Sequence, residues 1–177
     1  KKKKKKKASG AKTSRLGVSN MDTYMSEEEL QKRKEKMMTY QEFKILHSET
    51  ISYFQLIESD LKWIYSLMHK GDIDENYDSL DKRNLGFVIR ELKELDFSSG
   101  TPFISKNDYN FLNQMREKRN YWCHQAYIDF IYIHNFEYSS EFQKVCSKLK
   151  RDHDHIEVVQ RNVEKAKLNA NKVFSRS

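Results

Sequence analysis

The spacing of apolar residues constrains the fold of this chain more than any other feature of its sequence. Steps of three and four place such residues on one face of an amphipathic helix. Between positions 43 and 68 the recurring residues are Phe43, Leu46, Thr50, Phe54, Ile57, Leu61, Ile64 and Met68. Gly71 is expected to end this helix, because glycine is favoured just beyond a helix C-terminus. Residues 71–78 are expected to form an acidic loop.

The same periodicity predicts further helices along the chain. Ser26 and Glu29 have the spacing of a capping box, which predicts the start of a charged helix reaching Met38. The other expected helices run from about Asp81 to Leu95, from about Lys106 to Ile133, and from Glu141 to about Val173. The loops between them are short, which favours antiparallel neighbours. The sequence therefore predicts an all-α, up-down bundle of four to five helices without strands.

Charge is distributed unevenly along the chain. Residues 1–20 contain nine of the 33 basic residues and none of the 26 acidic ones. The chain from Met21 onward therefore contains 24 basic and 26 acidic residues. A near-neutral body excludes RNA binding through bulk charge. Any contact with nucleic acid must depend on a local basic cluster.

The basic tail, residues 1–20, is expected to be disordered, because its seven leading lysines repel one another. It is either a nucleic-acid-binding arm or an added tag before a natural start at Met21, and the tag is the favoured interpretation. Residues 21–177 are expected to form one helical domain. No segment has the roughly 18 apolar residues that span a bilayer, so no membrane is expected among the partners.

Two cysteines, Cys123 and Cys146, occur in the 177 residues. Two cysteines cannot form a disulfide framework, so a reducing, cytoplasmic location is expected. Each cysteine lies in an apolar helical stretch, and a buried thiol is expected at both positions.

One hexad within the expected helix 106–133 combines charged, amide and titratable side chains with large aromatic ones. Its residues are Arg119, Asn120, Tyr121, Trp122, Cys123 and His124. Asn120 and His124 are four residues apart and share a face, and the long stem of Arg119 can bring its guanidinium toward that face. Such groups are costly to bury unless they are paired or used. The hexad is therefore the first candidate for a functional site.

The hexad and its surroundings resemble the HEPN domain family, small all-helical modules found in prokaryotic toxins, antiphage systems and some eukaryotic RNases. The family signature is an arginine, a polar residue, a short spacer and a histidine, which here are Arg119, Asn120 and His124. The segment Asn84–Leu92, with its leucine-glycine pair, is similar to an earlier HEPN helix. The resemblance covers about Tyr40 to Cys146.

The resemblance implies a metal-independent endoribonuclease without a cofactor. The RNA 2′-hydroxyl attacks the adjacent phosphate, and His124 serves as general base or acid, since histidine ordinarily titrates near pH 6.5. Arg119 binds the charge that gathers on the phosphate oxygens. Asn120 orients His124 or holds a phosphate oxygen.

The resemblance also implies partners. HEPN nucleases commonly form homodimers in which two motifs face each other and build one composite site. RNA, a second copy of the chain, and an antitoxin or a larger defence complex are therefore expected partners. Tyr121 and Tyr127 neighbour His124 and are candidates for RNA binding. In one toxin subgroup a tyrosine two residues after the histidine is modified by a partner nucleotidyltransferase, but here that position is Ala126.

Two other interpretations remain open. The chain can be a non-catalytic HEPN-like module that binds a partner protein or nucleotide, or an interaction bundle unrelated to HEPN domains. The run Asp152–His155 has the composition of a metal site, but residues two apart on a helix point to nearly opposite sides. A solvated polar turn is expected there, and His47 is expected to be a surface or satisfied histidine.

Overall fold

The computed structural model describes residues 37–98 and 100–174, and within them the chain is helical without strands. This confirms the all-α prediction. The helices are α1 (Tyr40–Met68), α2 (Ile73–Ser79), α3 (Leu85–Ser98), α4 (Lys106–His124) and α5 (Ser140–Phe174), with a 3₁₀ turn at Phe136–Tyr138. None of these helices is long and apolar enough to cross a membrane, within the described ranges.

The two longest helices, α1 and α5, lie side by side and form the centre of the core. Thr39 begins α1 with a capping box, in which its side chain accepts from the backbone N–H of Glu42. Glu49 lies 3.3 Å from His153 near one end of the pair, and Trp63 donates to Asn171 at 2.9 Å near the other. Both helices therefore run in the same direction. The inward face of α1 carries residues that the apolar spacing predicted, among them Phe43, Ile57, Leu61 and Ile64, all fully buried. The facing side of α5 carries Leu149 and Ile156, which are also fully buried.

The helix that carries the hexad, α4, runs antiparallel to α3, as the short loop predicts. Asp96 is fully buried at the end of α3, and its carboxylate accepts from the backbone N–H of Ile104 at 2.9 Å and from the Tyr109 hydroxyl at 3.0 Å. At the other end Gly86 faces α4, where a Cβ would lie 2.8 Å from Cδ of Arg116. Both contacts fix α4 against α3.

The prediction that one helix runs from Lys106 to Ile133 is wrong, because α4 ends at His124. The amides of Gln125 and Ala126 both donate to the Tyr121 carbonyl, at 2.9 and 3.1 Å, and a series of turns follows. Residues 127–134 are rich in aromatic and β-branched side chains, which have low helix propensity.

Packing of aromatic rings explains why the chain leaves the helical path after His124. Ending the helix lets Phe130 and Phe136 turn toward the same point of the core as Phe43 and Phe142. The rings of Phe130 and Phe142 are 4.9 Å apart, and those of Phe130 and Phe43 are 5.4 Å apart. Asn135 adopts a left-handed conformation, with φ of 52°, and directs the chain into α5.

Three further sequence expectations need correction. The expected acidic loop 71–78 contains α2, because the Asp72 side chain caps the N–H groups of Asp74 and Glu75. The second core helix begins at Leu85 rather than near Asp81, and it continues to Ser98. Met37 and Met38 are not helical. The rest of the expected helix from Ser26, and the basic tail, lie outside the described residues.

Candidate functional site

The hexad 119–124 occupies the last turn and a half of α4 and divides into an outward and an inward side. Asn120, Cys123 and His124 are exposed, whereas Trp122 is only 1 % exposed. Arg119 and Tyr121 lie at the border and are half-buried. The polar residues that the sequence singled out thus face solvent next to a tryptophan in the core.

Two of the three expected catalytic residues contact each other. A guanidinium N–H of Arg119 donates to the Asn120 Oδ1 across 3.5 Å, a long hydrogen bond. Asn120 and His124 share the exposed face, one helical turn apart. The His124 imidazole has no hydrogen-bond partner among the described residues, so its ring nitrogens remain open to an incoming group.

Trp122 ties the hexad to the neighbouring helices from two sides. Its indole Nε1–H donates to Oδ2 of Asp152 on α5 at 3.0 Å, and its backbone carbonyl lies 2.9 Å from Nε2 of His47 on α1. Oδ1 of Asp152 accepts from the Lys118 ammonium, which lies one turn before Trp122. Lys118 also reaches Nδ1 of His155 at 3.3 Å. A small ionic network therefore lies directly beneath the hexad.

Tyr121 is engaged on both its ring and its hydroxyl. The hydroxyl donates to Asp129 at 2.6 Å, and the Lys148 ammonium lies 3.0 Å from the centre of the ring. Burial, and then the hydrogen bond to Asp129, raise the pKa of the Tyr121 hydroxyl, while burial lowers the pKa of Lys148. One face of the Tyr121 ring is therefore occupied by a cation within the chain itself.

Tyr127 lies in the turns after α4 and packs edge-on against two rings of α1. Its ring centre is 5.6 Å from that of Phe43 and 5.2 Å from that of His47. Tyr127 remains half-buried. RNA binding by Tyr121 and Tyr127 stays a prediction, and any such role must use the ring surface that these contacts leave open.

The two cysteines differ in their exposure to solvent. Cys146 is buried, as expected, and burial raises the pKa of its thiol to about 11. Cys123 is exposed, so the expectation of a buried thiol at that position is wrong. The cause is its place on the outward side of α4, between the buried Trp122 and the exposed His124.

The run Asp152–His155 is only in part the solvated turn that was expected. Asp152 is 8 % exposed and holds Trp122 and Lys118, so that expectation is wrong for this residue. Asp154 is exposed, and His153 lies beside Glu49 on α1. No group of three or more histidine, cysteine or carboxylate side chains is arranged to hold a metal ion in the described ranges.

Sequence reasoning missed Asp152, Lys118, Lys148 and the capping role of His47. A weak signal existed for three of them. Lys118 lies four residues before Trp122, and Lys148 lies four residues before Asp152, so each pair shares a helix face beside the core. The partners are far apart in sequence, and spacing alone could not join them.

A cavity of about 470 Å³ lies between α1, the first half of α4 and the second half of α5. Its wall is mostly apolar and includes Leu61, Phe111 and Val159, with His155 at the side of the Lys118 network. Arg119, Asn120 and His124 do not line it. This cavity and the exposed polar residues of the hexad are therefore separate features.

Comparison of the chain with protein-family models, curated proteins and solved structures gave no match. The HEPN resemblance accordingly depends on the motif residues of the sequence.

Proposed function

We propose that the protein is a metal-independent endoribonuclease of the HEPN type. In the proposed reaction, a 2′-hydroxyl of the RNA attacks the adjacent phosphate. The observation that carries the proposal is the joint placement of Arg119, Asn120 and His124 on the solvent-facing end of α4. An arginine held beside an amide and an unengaged histidine are the groups that this chemistry needs.

Each residue has a role that its surroundings permit. The exposed His124 ring is free to take the proton of the 2′-hydroxyl or to return one to the leaving oxygen. Arg119 offers forked N–H donors to the phosphate oxygens, where negative charge grows in the transition state. Asn120 holds the guanidinium through its Oδ1 and presents its amide N–H groups to the substrate.

Each chain supplies one copy of the motif, so we propose a homodimer in which two hexads face each other. The turns after the hexad support an interface, because Ile128 is 61 % exposed and Tyr132 is 87 % exposed. Exposed aromatic and aliphatic side chains of this kind are enriched at subunit contacts. A toxin or antiphage role, with an antitoxin or a larger complex as partner, belongs to the same proposal.

The test is cleavage of a single-stranded RNA by the full chain in the presence of EDTA. The expected product carries a 2′,3′-cyclic phosphate, and an RNA with 2′-deoxyribose at the cut position is expected to stay intact because it lacks the nucleophile. His124→Ala should lower the rate by roughly 10²–10⁴-fold, the usual contribution of a general acid or base. Arg119→Ala should also abolish cleavage.

His134→Ala is the matched control, because His134 is an exposed histidine in the turns beyond the hexad. It should cleave like the parent. All variants keep residues 1–20, so any RNA binding by the lysine tail is common to them. If His124→Ala and Arg119→Ala cut RNA as fast as the parent, the nuclease proposal is wrong.

The exposed apolar side chains also favour a second candidate function, a non-catalytic module that binds a partner protein. Tyr138, 73 % exposed, is a further exposed aromatic side chain in the segment between α4 and α5. Light scattering of the parent and of Ile128→Asp separates the two. Loss of both the dimer and cleavage in the variant supports the composite nuclease site, whereas a monomeric parent without cleavage supports the binding module.

A further inference from the structure

We propose that Asp152 and His47 are positioning residues, which hold Trp122 from two sides and thereby fix the helical turn that presents Arg119, Asn120 and His124. This inference rests on the nuclease function proposed above. It adds residues of α1 and α5 to a site that the motif places on α4 alone.

The first of these contacts, with His47, involves the backbone at the end of α4. The last four carbonyls of a helix have no partner within the helix. The Tyr121 carbonyl accepts from the amides of Gln125 and Ala126, and the Trp122 carbonyl faces Nε2 of His47 at 2.9 Å. With a proton on Nε2, His47 donates to this carbonyl. A side chain of α1 thus completes the C-terminal turn of α4.

The second contact, with Asp152, involves the side chain of Trp122. Oδ2 of Asp152 accepts from the indole N–H of Trp122, and Oδ1 accepts from Lys118. Trp122 is 1 % exposed and Asp152 is 8 % exposed, so both partners are shielded from water. A hydrogen bond to a charged acceptor in such surroundings is stronger and more directional than one at the surface.

The position of Trp122 within the hexad places its contacts with Asp152 and His47 close to the residues proposed to cleave RNA. His124 is the last residue of α4 and lies two residues after Trp122, in the turn that would fray first. Arg119 lies three residues before Trp122, so the anchor lies between Arg119 and His124 along the helix. A displacement of about 1 Å at a reacting group can cost roughly 100-fold in rate.

The chain contains its own matched control. Trp63 donates its indole N–H to Asn171 of α5 at 2.9 Å, near the opposite end of the same helix pair and away from the hexad. Trp122→Phe therefore removes an indole N–H that binds α5 beside the hexad. Trp63→Phe removes the equivalent N–H far from the hexad.

The experiment compares cleavage kinetics of the full-length parent and the two tryptophan variants. Trp122→Phe should lower kcat by at least about tenfold with little change in KM, because substrate groups remain and only the reacting geometry shifts. Trp63→Phe should keep the parent kcat. His47→Gln, which retains a side-chain N–H donor, should keep more activity than His47→Leu, and Asp152→Asn more than Asp152→Ala.

A second readout separates this inference from the nuclease function. Amide hydrogen exchange at Gln125 and Ala126 should accelerate by about tenfold, or about 1.4 kcal/mol, in Trp122→Phe and not in Trp63→Phe. If the parent does not cleave RNA, the proposed function fails, and the exchange data alone decide whether Trp122 fixes this turn. Equal loss of kcat in both tryptophan variants, or parent-like kcat and exchange in Trp122→Phe, would overturn the inference.

Discussion

The two tryptophans of this chain are both held by α5, but in different ways. Trp122 donates to a buried carboxylate that also binds a lysine, whereas Trp63 donates to a neutral amide. Trp122 is almost fully buried, and Trp63 is only half-buried. The stronger and more enclosed anchor is the one beside the exposed polar residues of α4.

Stability alone does not explain the Lys118–Asp152 pair. A buried ion pair loses much of its attraction to the cost of removing both charges from water, and an apolar replacement is often neutral. The Trp63 end shows that a neutral acceptor suffices to join a tryptophan to α5. The charged acceptor instead gives one well-defined orientation to the turn that carries the hexad.

The largest expected change in the free energy of unfolding comes from removing the indole N–H of Trp122, compared with removing that of Trp63. Trp122→Phe should destabilise the fold by about 3 kcal/mol, since it loses a hydrogen bond to a charged group and leaves unfilled space in the core. Trp63→Phe should cost about 1 kcal/mol, the usual contribution of a neutral hydrogen bond. Denaturant unfolding of both variants measures the difference, and equal losses would remove the contrast between the two ends.

The next effect comes from converting the charged anchor into a neutral one. Lys118→Met should cost roughly 2–3 kcal/mol, below the range for fully enclosed pairs, because it leaves the buried Asp152 charge without a cation and Lys118 was partly exposed. Adding Asp152→Asn should recover most of this loss, since an amide oxygen can still accept from Trp122. A double variant no more stable than Lys118→Met would show that charge is not the cause.

The smallest expected effect concerns the thiol on the same part of α5 as Asp152. Burial raises the pKa of Cys146 from about 9 to about 11 in the folded chain. The unfolded chain therefore loses this proton first, and the stabilising contribution is complete below pH 9 and is lost as pH rises toward 11. The free energy of unfolding should fall by about 1–2 kcal/mol in this range.

In Cys146→Ala this alkaline loss should be smaller than in the parent, whereas in Trp63→Phe it should be unchanged. Urea unfolding at pH 9 and at pH 10.5 measures both slopes. A parent-like slope in Cys146→Ala would assign the loss to tyrosines such as Tyr109 and Tyr121, whose hydroxyl pKa values burial also raises.

The sequence was informative where one local pattern decided the structure. The spacing from Phe43 to Met68 predicted the inward face of α1. It failed after His124, because ring packing around Phe130 outweighed a continuing helical register. Asp152 and His47 were not predictable as partners of Trp122, since such contacts exist only once three helices have come together.

The wide separation of those partners along the chain has a consequence for synthesis. His47 and Trp122 are 75 residues apart, and Asp152 follows Trp122 by 30. At about 5–20 residues per second, the hexad leaves the ribosome seconds before the carboxylate that anchors it. An RNA-cutting turn built in this way would stay unorganised while it is still close to ribosomal RNA, and it would become ordered only after α5 has emerged.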